Sequence, residues 1–190
     1  MHKFTFFFLC TLLLLTGAAE AKQVPDAELR TLLTETVNES SSFYDRFDAE
    51  VWLVDMSGRL KRYIKDPEQR LEVLKRVHAE AKRAELAPEL VMSLIHVESA
   101  FKRFAISSVG AQGLMQVMPF WKNEIGRPDD NLTNIETNLR YGCTILKHYI
   151  NKEKGNLIRA LGRYNGSLGK IKYPEKVLRF WQEYWFINHQ

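Results

Sequence analysis

The chain has 190 residues, of which 45% are hydrophobic, 12% aromatic and 26% charged, enough for one ordinary domain with a small appendage and too few for two large independent ones. That apolar content excludes intrinsic disorder. Lysine and arginine number 27 against 23 aspartates and glutamates, a net charge of +4 that biases the surface toward polyanions without choosing one.

Met1 to Lys3 form a short basic start, and Phe4 to Leu15 is an apolar run broken only by Thr5 and Thr11. Ala19-Glu20-Ala21 then offers the small residues a signal peptidase requires, so residues 1–21 are expected to be a signal peptide cleaved after Ala21, with export to the periplasm. The run is too short for a bilayer core that needs about 20 apolar residues, and no stable transmembrane segment is expected after cleavage. Cys10 leaves with that segment. Cys143 then stands alone, which excludes an internal disulfide, and within a helical pattern it reads as a small buried apolar residue rather than a nucleophile.

Residues 22–66 read as an N-terminal helical extension: a helix from Asp26 to Asn38, a polar link to Ser42, and a second helix from Asp45 to Met56. Phe43, Phe47, Val51, Trp52 and Leu53 are many apolar groups to leave in water, so this part is expected to pack against the main domain at 67–190. There, Asp66-Pro67 places a capping aspartate before proline at the first helical position, predicting a helix over 67–84. Pro88 opens another, in which Leu90, Val91, Leu94, Ile95 and Glu98 share one stripe. Further helices are predicted over 114–124, 134–151, 156–163 and 173–187, with Gly110, Gly113, Gly126, Pro128, Gly155, Gly166 and Gly169 at the breaks. Alternation of period two is sustained nowhere, so the fold class is all-α.

Glu98 ends an apolar face. A carboxylate on the buried side of a helix loses hydration when ionised, which raises its pKa toward the value a general acid needs at neutral pH. The plainer reading is that Glu98 reaches water at the helix end or pairs with Lys102 or Arg103 on the next turn.

The following residues weigh on that choice. Glu98-Ser99-Ala100-Phe101 leads through Ala105 to Gln112 into Gly113-Leu114-Met115-Gln116-Val117-Met118-Pro119, a run that closely resembles the catalytic segment of the soluble lytic transglycosylases. Downstream, Asn138-Leu139-Arg140-Tyr141-Gly142 is similar to that family's Asn-Ile-x-x-Gly helix. Ala160-Leu161 with Tyr164-Asn165-Gly166 resembles its Ala-Leu-x-x-Tyr-Asn-Ala-Gly, and Tyr173 with Val177-Leu178 its closing Tyr-x-x-x-Val-Leu. The resemblance runs from about residue 86 to 180, in the family's order.

It implies a goose-type lysozyme-like fold and cleavage of peptidoglycan between N-acetylmuramic acid and N-acetylglucosamine, with Glu98 as the catalytic acid and then base and a 1,6-anhydromuramoyl end as product. It also implies that Ser107, Gly113, Gln116, Met118, Tyr164, Asn165 and Tyr173 surround the saccharide. Glycine at 113 permits close approach, and Gln116 offers both donor and acceptor to an acetamido group. Met115 and Met118 read equally as core, and Tyr164 as a packing residue. Two positions depart from the pattern: Gly166-Ser167 replaces Ala-Gly, and Gly169 stands where the family commonly has a glutamate.

Most glycosidases use two carboxylates. Asp129 and Asp130 read instead as solvated or as capping Thr133 to Glu136. His2, His78, His96, His148 and His189 are scattered without ligand spacing and read as surface or helix-face residues, so no metal and no cofactor is expected. The aromatic cluster Phe180, Trp181, Tyr184, Trp185 and Phe186 is expected to pack a last helix on the domain rather than to meet membrane or glycan. Glycan strands of peptidoglycan are the implied partner, with a protein of an envelope assembly as a second candidate and nucleic acid excluded by export and the lack of a basic tract. Two rival readings remain: a lysozyme-type muramidase and a glycan-binding protein without catalysis.

Overall fold

The computed structural model describes residues 42–187 except Tyr44. The expected signal peptide and the expected helix at 26–38 lie outside the described residues. Among the described residues seven α-helices follow in order: α1 Arg46–Leu60, α2 Pro67–Arg83, α3 Pro88–Glu98, α4 Trp121–Ile125, α5 Ile135–Lys152, α6 Leu157–Tyr164 and α7 Lys172–Phe180. A π-helical turn at Trp181–Trp185 continues α7. No strand occurs among the described residues beyond isolated bridges joining Ile106 to Gln112 and Gln112 to Val117. Helix starts are set by side chains that accept from backbone N–H groups three residues on: Asp45, Asp66, Asn134 and Asn156 cap α1, α2, α5 and α6.

The apolar stripe of α3 is wide enough that Leu90 through Ile95 are all buried, as befits a helix enclosed on every side. It lies against α2, α7 and the π-helical turn, while α5 packs on α2 and α6. Polar groups drawn into this interior are matched. The Ser93 hydroxyl donates to the Val177 carbonyl at 2.5 Å, tying α3 to α7. Glu80 accepts from Arg140 at 2.7 Å and from Arg83; burial alone would raise its pKa, and those two guanidinium groups more than offset it, holding it below the usual carboxylate range.

Helix α1 is integral to this body. Ala49, Trp52, Leu53, Met56 and Leu60 are buried, and the Trp52 indole donates to Glu89 at 2.7 Å. Arg70, itself buried, donates to Ser57 Oγ at 3.2 Å and to the carbonyls of Ile64 at 3.0 Å and Lys65 at 2.7 Å, fixing the α1–α2 connection. The expected packing set is only partly realised: Trp52 and Leu53 are inside and Phe43 is half-buried, but Phe47 and Val51 are exposed because they lie on the opposite side of α1.

Three other expectations change. The predicted helix over 114–124 is a loop until Trp121, because Gly113 and Gln116 take positive φ and Pro119 follows, leaving only α4 helical. The last helix is α only to Phe180. Asp130 does not cap Thr133 to Glu136; it accepts from the Arg127 N–H and the Tyr141 hydroxyl, Asn131 and Asn134 serve the capping positions, and Asp129 is exposed. His78 and His96 lie on faces of α2 and α3, half-buried among aromatic rings. Burial of Cys143 pushes its thiol far up, so it is a packed apolar group and not a nucleophile.

Candidate active site

Helix α3 ends immediately after Glu98. Ser99 departs from helical geometry, and Ala100 and Phe101 follow with φ of +49° and +63°. The Ser99 hydroxyl is buried and donates to the Leu114 carbonyl at 2.7 Å and the Ile95 carbonyl at 3.2 Å. One side chain therefore closes the end of α3 and anchors the loop that passes in front of it.

That loop is held from three sides. Within it, Gln112 and Val117 exchange two backbone hydrogen bonds at 2.9 Å, and Gly113 N–H donates to the Ala105 carbonyl at 2.9 Å. From α5, the fully buried Asn138 accepts from Met115 N–H at 2.8 Å and donates to the carbonyls of Gln112 at 2.9 Å and Leu132 at 2.8 Å. Gly142, one turn later, leaves room for the Met115 side chain: a Cβ there would stand 2.3 Å from its sulfur. From α6, the Tyr164 hydroxyl donates to the Met115 carbonyl at 2.8 Å. Gly113 is needed by this clamp, since a Cβ on it would meet Asn138 Nδ2 at 2.4 Å and the Leu132 carbonyl at 2.5 Å.

Glu98 faces this assembly. It turns neither to Lys102 nor to Arg103, both of which are exposed; Arg103 donates to the Thr133 carbonyl. Its partner is Tyr173 at the start of α7, whose hydroxyl donates to Glu98 Oε1. Burial pushes the Glu98 carboxyl up to about 7, an effect opposed but not overcome by the Tyr173 hydrogen bond and the positive charge of Lys176. Burial and the nearby Glu98 charge raise both the Tyr173 and Tyr164 hydroxyls well above their ordinary value, so both remain donors. Near neutrality the site thus presents a carboxyl poised between its two protonation states, with Oε1 occupied by a tyrosine donor and Oε2 left for a reacting group.

Behind Glu98, His96 is pushed down to about 4 by burial and then by the charges of Arg62 and Lys176. The Trp185 indole donates to its Nδ1 at 3.3 Å, which assigns the proton to Nε2, hydrogen-bonded to the Tyr63 hydroxyl at 2.6 Å. A neutral imidazole in that place adds no cation beside the carboxyl.

The other expected site residues fall at varied distances from the chemistry. Gln116 is half-buried and turns its amide donors inward, to the carbonyls of Gly113 at 2.9 Å and Ala105 at 3.2 Å, leaving its oxygen as the group free to face outward. Ser107 is half-buried, and its hydroxyl accepts from Ala111 N–H at 3.0 Å within its own turn. Met118 is half-buried while Met115 is core. Asn165 is exposed at the end of α6. Lys176 has no sequence signal of its own, and Ser99 has only its place beside Glu98 in the motif. Asn138 had one, the Asn-x-x-x-Gly spacing that sets its amide one turn from Gly142, but its role as a clamp needs the fold. An apolar groove of about 790 Å³ between α1, α2 and the end of the chain is lined by Phe43, Val51, Trp52 and Trp181 and includes neither Glu98 nor Tyr173, so it is separate from this site.

The model of the Transglycosylase SLT domain family matches residues 75–180. Among solved structures, the chain is similar to an inactive mutant of lytic transglycosylase Slt from Pseudomonas aeruginosa, at 23% identity and a TM-score of 0.46, covering 76% of this chain and 31% of that one. The chain therefore spans about a third of the length of that protein.

Proposed function

Because the chain belongs to the Transglycosylase SLT domain family, we propose that it is a peptidoglycan lytic transglycosylase, a lyase that cuts the β-1,4 bond between N-acetylmuramic acid and N-acetylglucosamine. Glu98 acts first as acid and then as base, and the cut end is a 1,6-anhydromuramoyl residue. The observation that carries this reading is the carboxyl of Glu98, raised to about 7 by burial and held by Tyr173.

Protonated Glu98 gives its proton through Oε2 to the bridging oxygen as the bond to the muramoyl C1 breaks. The muramoyl N-acetyl oxygen shares the positive charge that develops at C1. Tyr173 keeps donating to Oε1, so the carboxylate formed at this moment is stabilised without a cation in contact. Ionised Glu98 then takes the proton of the muramoyl C6 hydroxyl, that oxygen closes on C1, and the carboxyl returns to its starting state without consuming water. An attacking group already on the substrate needs no second carboxylate to activate it. In keeping with this, Asp130 is committed to Arg127 N–H and Tyr141, and Asp129 is exposed.

The clamped loop at 112–117 and Gln116, with Ser107, Met118, Tyr164 and Asn165 around it, form the saccharide-binding wall in this reading. Peptidoglycan lies outside the cytoplasm, and cleavage of the segment 1–21 provides the route there. No helix of the described residues is long and apolar enough to cross a membrane. The test is Glu98→Gln assayed on purified sacculi. The variant should sediment with them as the parent does and release no muropeptides. A variant that still releases them at the parental rate removes Glu98 from its role, and a parent that binds without releasing any leaves a glycan-binding protein.

A further inference from the structure

Helix α7 brings Tyr173 to Glu98, and its other residues take their places from that contact. With successive residues about 100° apart around the axis, Val177 and Pro174 lie to one side of Tyr173, where both are buried against the domain. Lys176, Lys172 and Arg179 lie to the other side, all exposed, as a stripe at i, i+4 and i+7 along the open flank of the helix. The turn entering α7 adds the exposed Lys170 and contains no acid.

Several cations of the described residues are neutralised by acids beside them. Arg76, Arg83, Arg140, Lys147, Arg159 and Arg163 each meet a glutamate within ion-pair distance. Lys172, Lys176 and Arg179 meet none among the described residues; Arg179 rests over the Phe180 ring at 5.7 Å. Glu175 points to the far side of α7, about 200° round from Tyr173. The stripe is also close to the chemistry, since the charge of Lys176 is felt by both Glu98 and His96. An unneutralised row of cations beside a reacting carboxyl attracts and orients an anionic substrate.

We propose that Lys172, Lys176 and Arg179 form a carboxylate-binding rail that engages the free carboxylates of the peptides borne by the muramoyl residues, so that the enzyme prefers peptide-bearing strands to stripped ones. The proposal rests on the reading of the site as a lytic transglycosylase and adds what that reading leaves open, the part of the polymer beyond the sugars. Its contacts are exposed and individually weak, and they act together through KM.

The test compares kcat/KM on peptide-bearing glycan strands with that on strands freed of peptides by an amidase, for the parent and for Lys172→Gln combined with Arg179→Gln. The parent should favour peptide-bearing strands, and the double variant should lose that preference by roughly fivefold through KM, with the difference shrinking as salt is raised. Lys176→Gln alone should weaken the same preference by roughly threefold. Equal losses on both strands, or a preference unchanged by the substitutions, overturns the rail while leaving the cleavage chemistry standing. A parent that cleaves neither strand overturns the functional reading beneath it.

Discussion

Replacing Glu98 by glutamine should stabilise the protein, by an amount that grows with pH. In the unfolded chain this carboxyl releases its proton near the ordinary 4.5, while in the folded protein it holds it to about 7. Between those values the native state binds more protons than the unfolded one, so the native state loses stability as pH rises and the loss is complete above the folded value. At about 1.4 kcal/mol per pH unit, the full interval is worth about 3 kcal/mol. Glutamine keeps an oxygen to accept from Tyr173 and removes the buried charge. Glu98→Gln should therefore match the parent in stability below about pH 4.5 and exceed it by about 2–3 kcal/mol at pH 8, a rise in Tm of roughly 5–10 °C. Thermal and urea unfolding followed by circular dichroism at pH 4.5, 6 and 8 measures it. A gap between variant and parent that is the same at all three values would refute the claim that this carboxyl is held desolvated.

Three further outcomes follow from the same geometry. Tyr173→Phe removes the donor that favours ionised Glu98; the pH at which kcat/KM declines on the alkaline side should move up by about one pH unit, with kcat reduced, and an unmoved limb would show that the two groups do not interact. Asn138→Ala leaves Met115 N–H and the buried Leu132 carbonyl without a partner and takes one of two donors from the Gln112 carbonyl, which should cost about 3 kcal/mol in urea unfolding and lower kcat/KM on sacculi by at least about tenfold as the loop loosens. Trp52→Ala opens the contact of α1 with the body and should destabilise the whole domain by about 3–5 kcal/mol in one cooperative transition, whereas an appendage would melt separately.

The helices were legible wherever their starts carry chemistry of their own. Asp66-Pro67 and Pro88 fix α2 and α3 because proline at the first turn acts through the local chain alone. The burial of Glu98 was legible for a related reason, since its position on the α3 stripe follows from spacing. The loop at 113–120 was not, although Leu114, Met115 and Met118 are spaced as in a helix. Its shape is set by Asn138, Gly142 and Tyr164, residues 23 to 49 positions from the Met115 they hold, and long-range side-chain bonds leave no local periodicity. Asp130 was misplaced for the same reason: two asparagines nearby cap more directly, and Tyr141 on α5 claims its carboxylate. The Glu98–Tyr173 contact spans 75 residues, and only the family resemblance placed both in one site before the fold did.

The most direct measurement of the central claim, that one carboxyl completes the cleavage with the substrate's own hydroxyl, is the mass of the products from purified sacculi digested in water enriched in oxygen-18. The account predicts anhydromuramoyl ends with no label at C1. Reducing ends carrying one labelled oxygen would contradict it and make the reaction a hydrolysis.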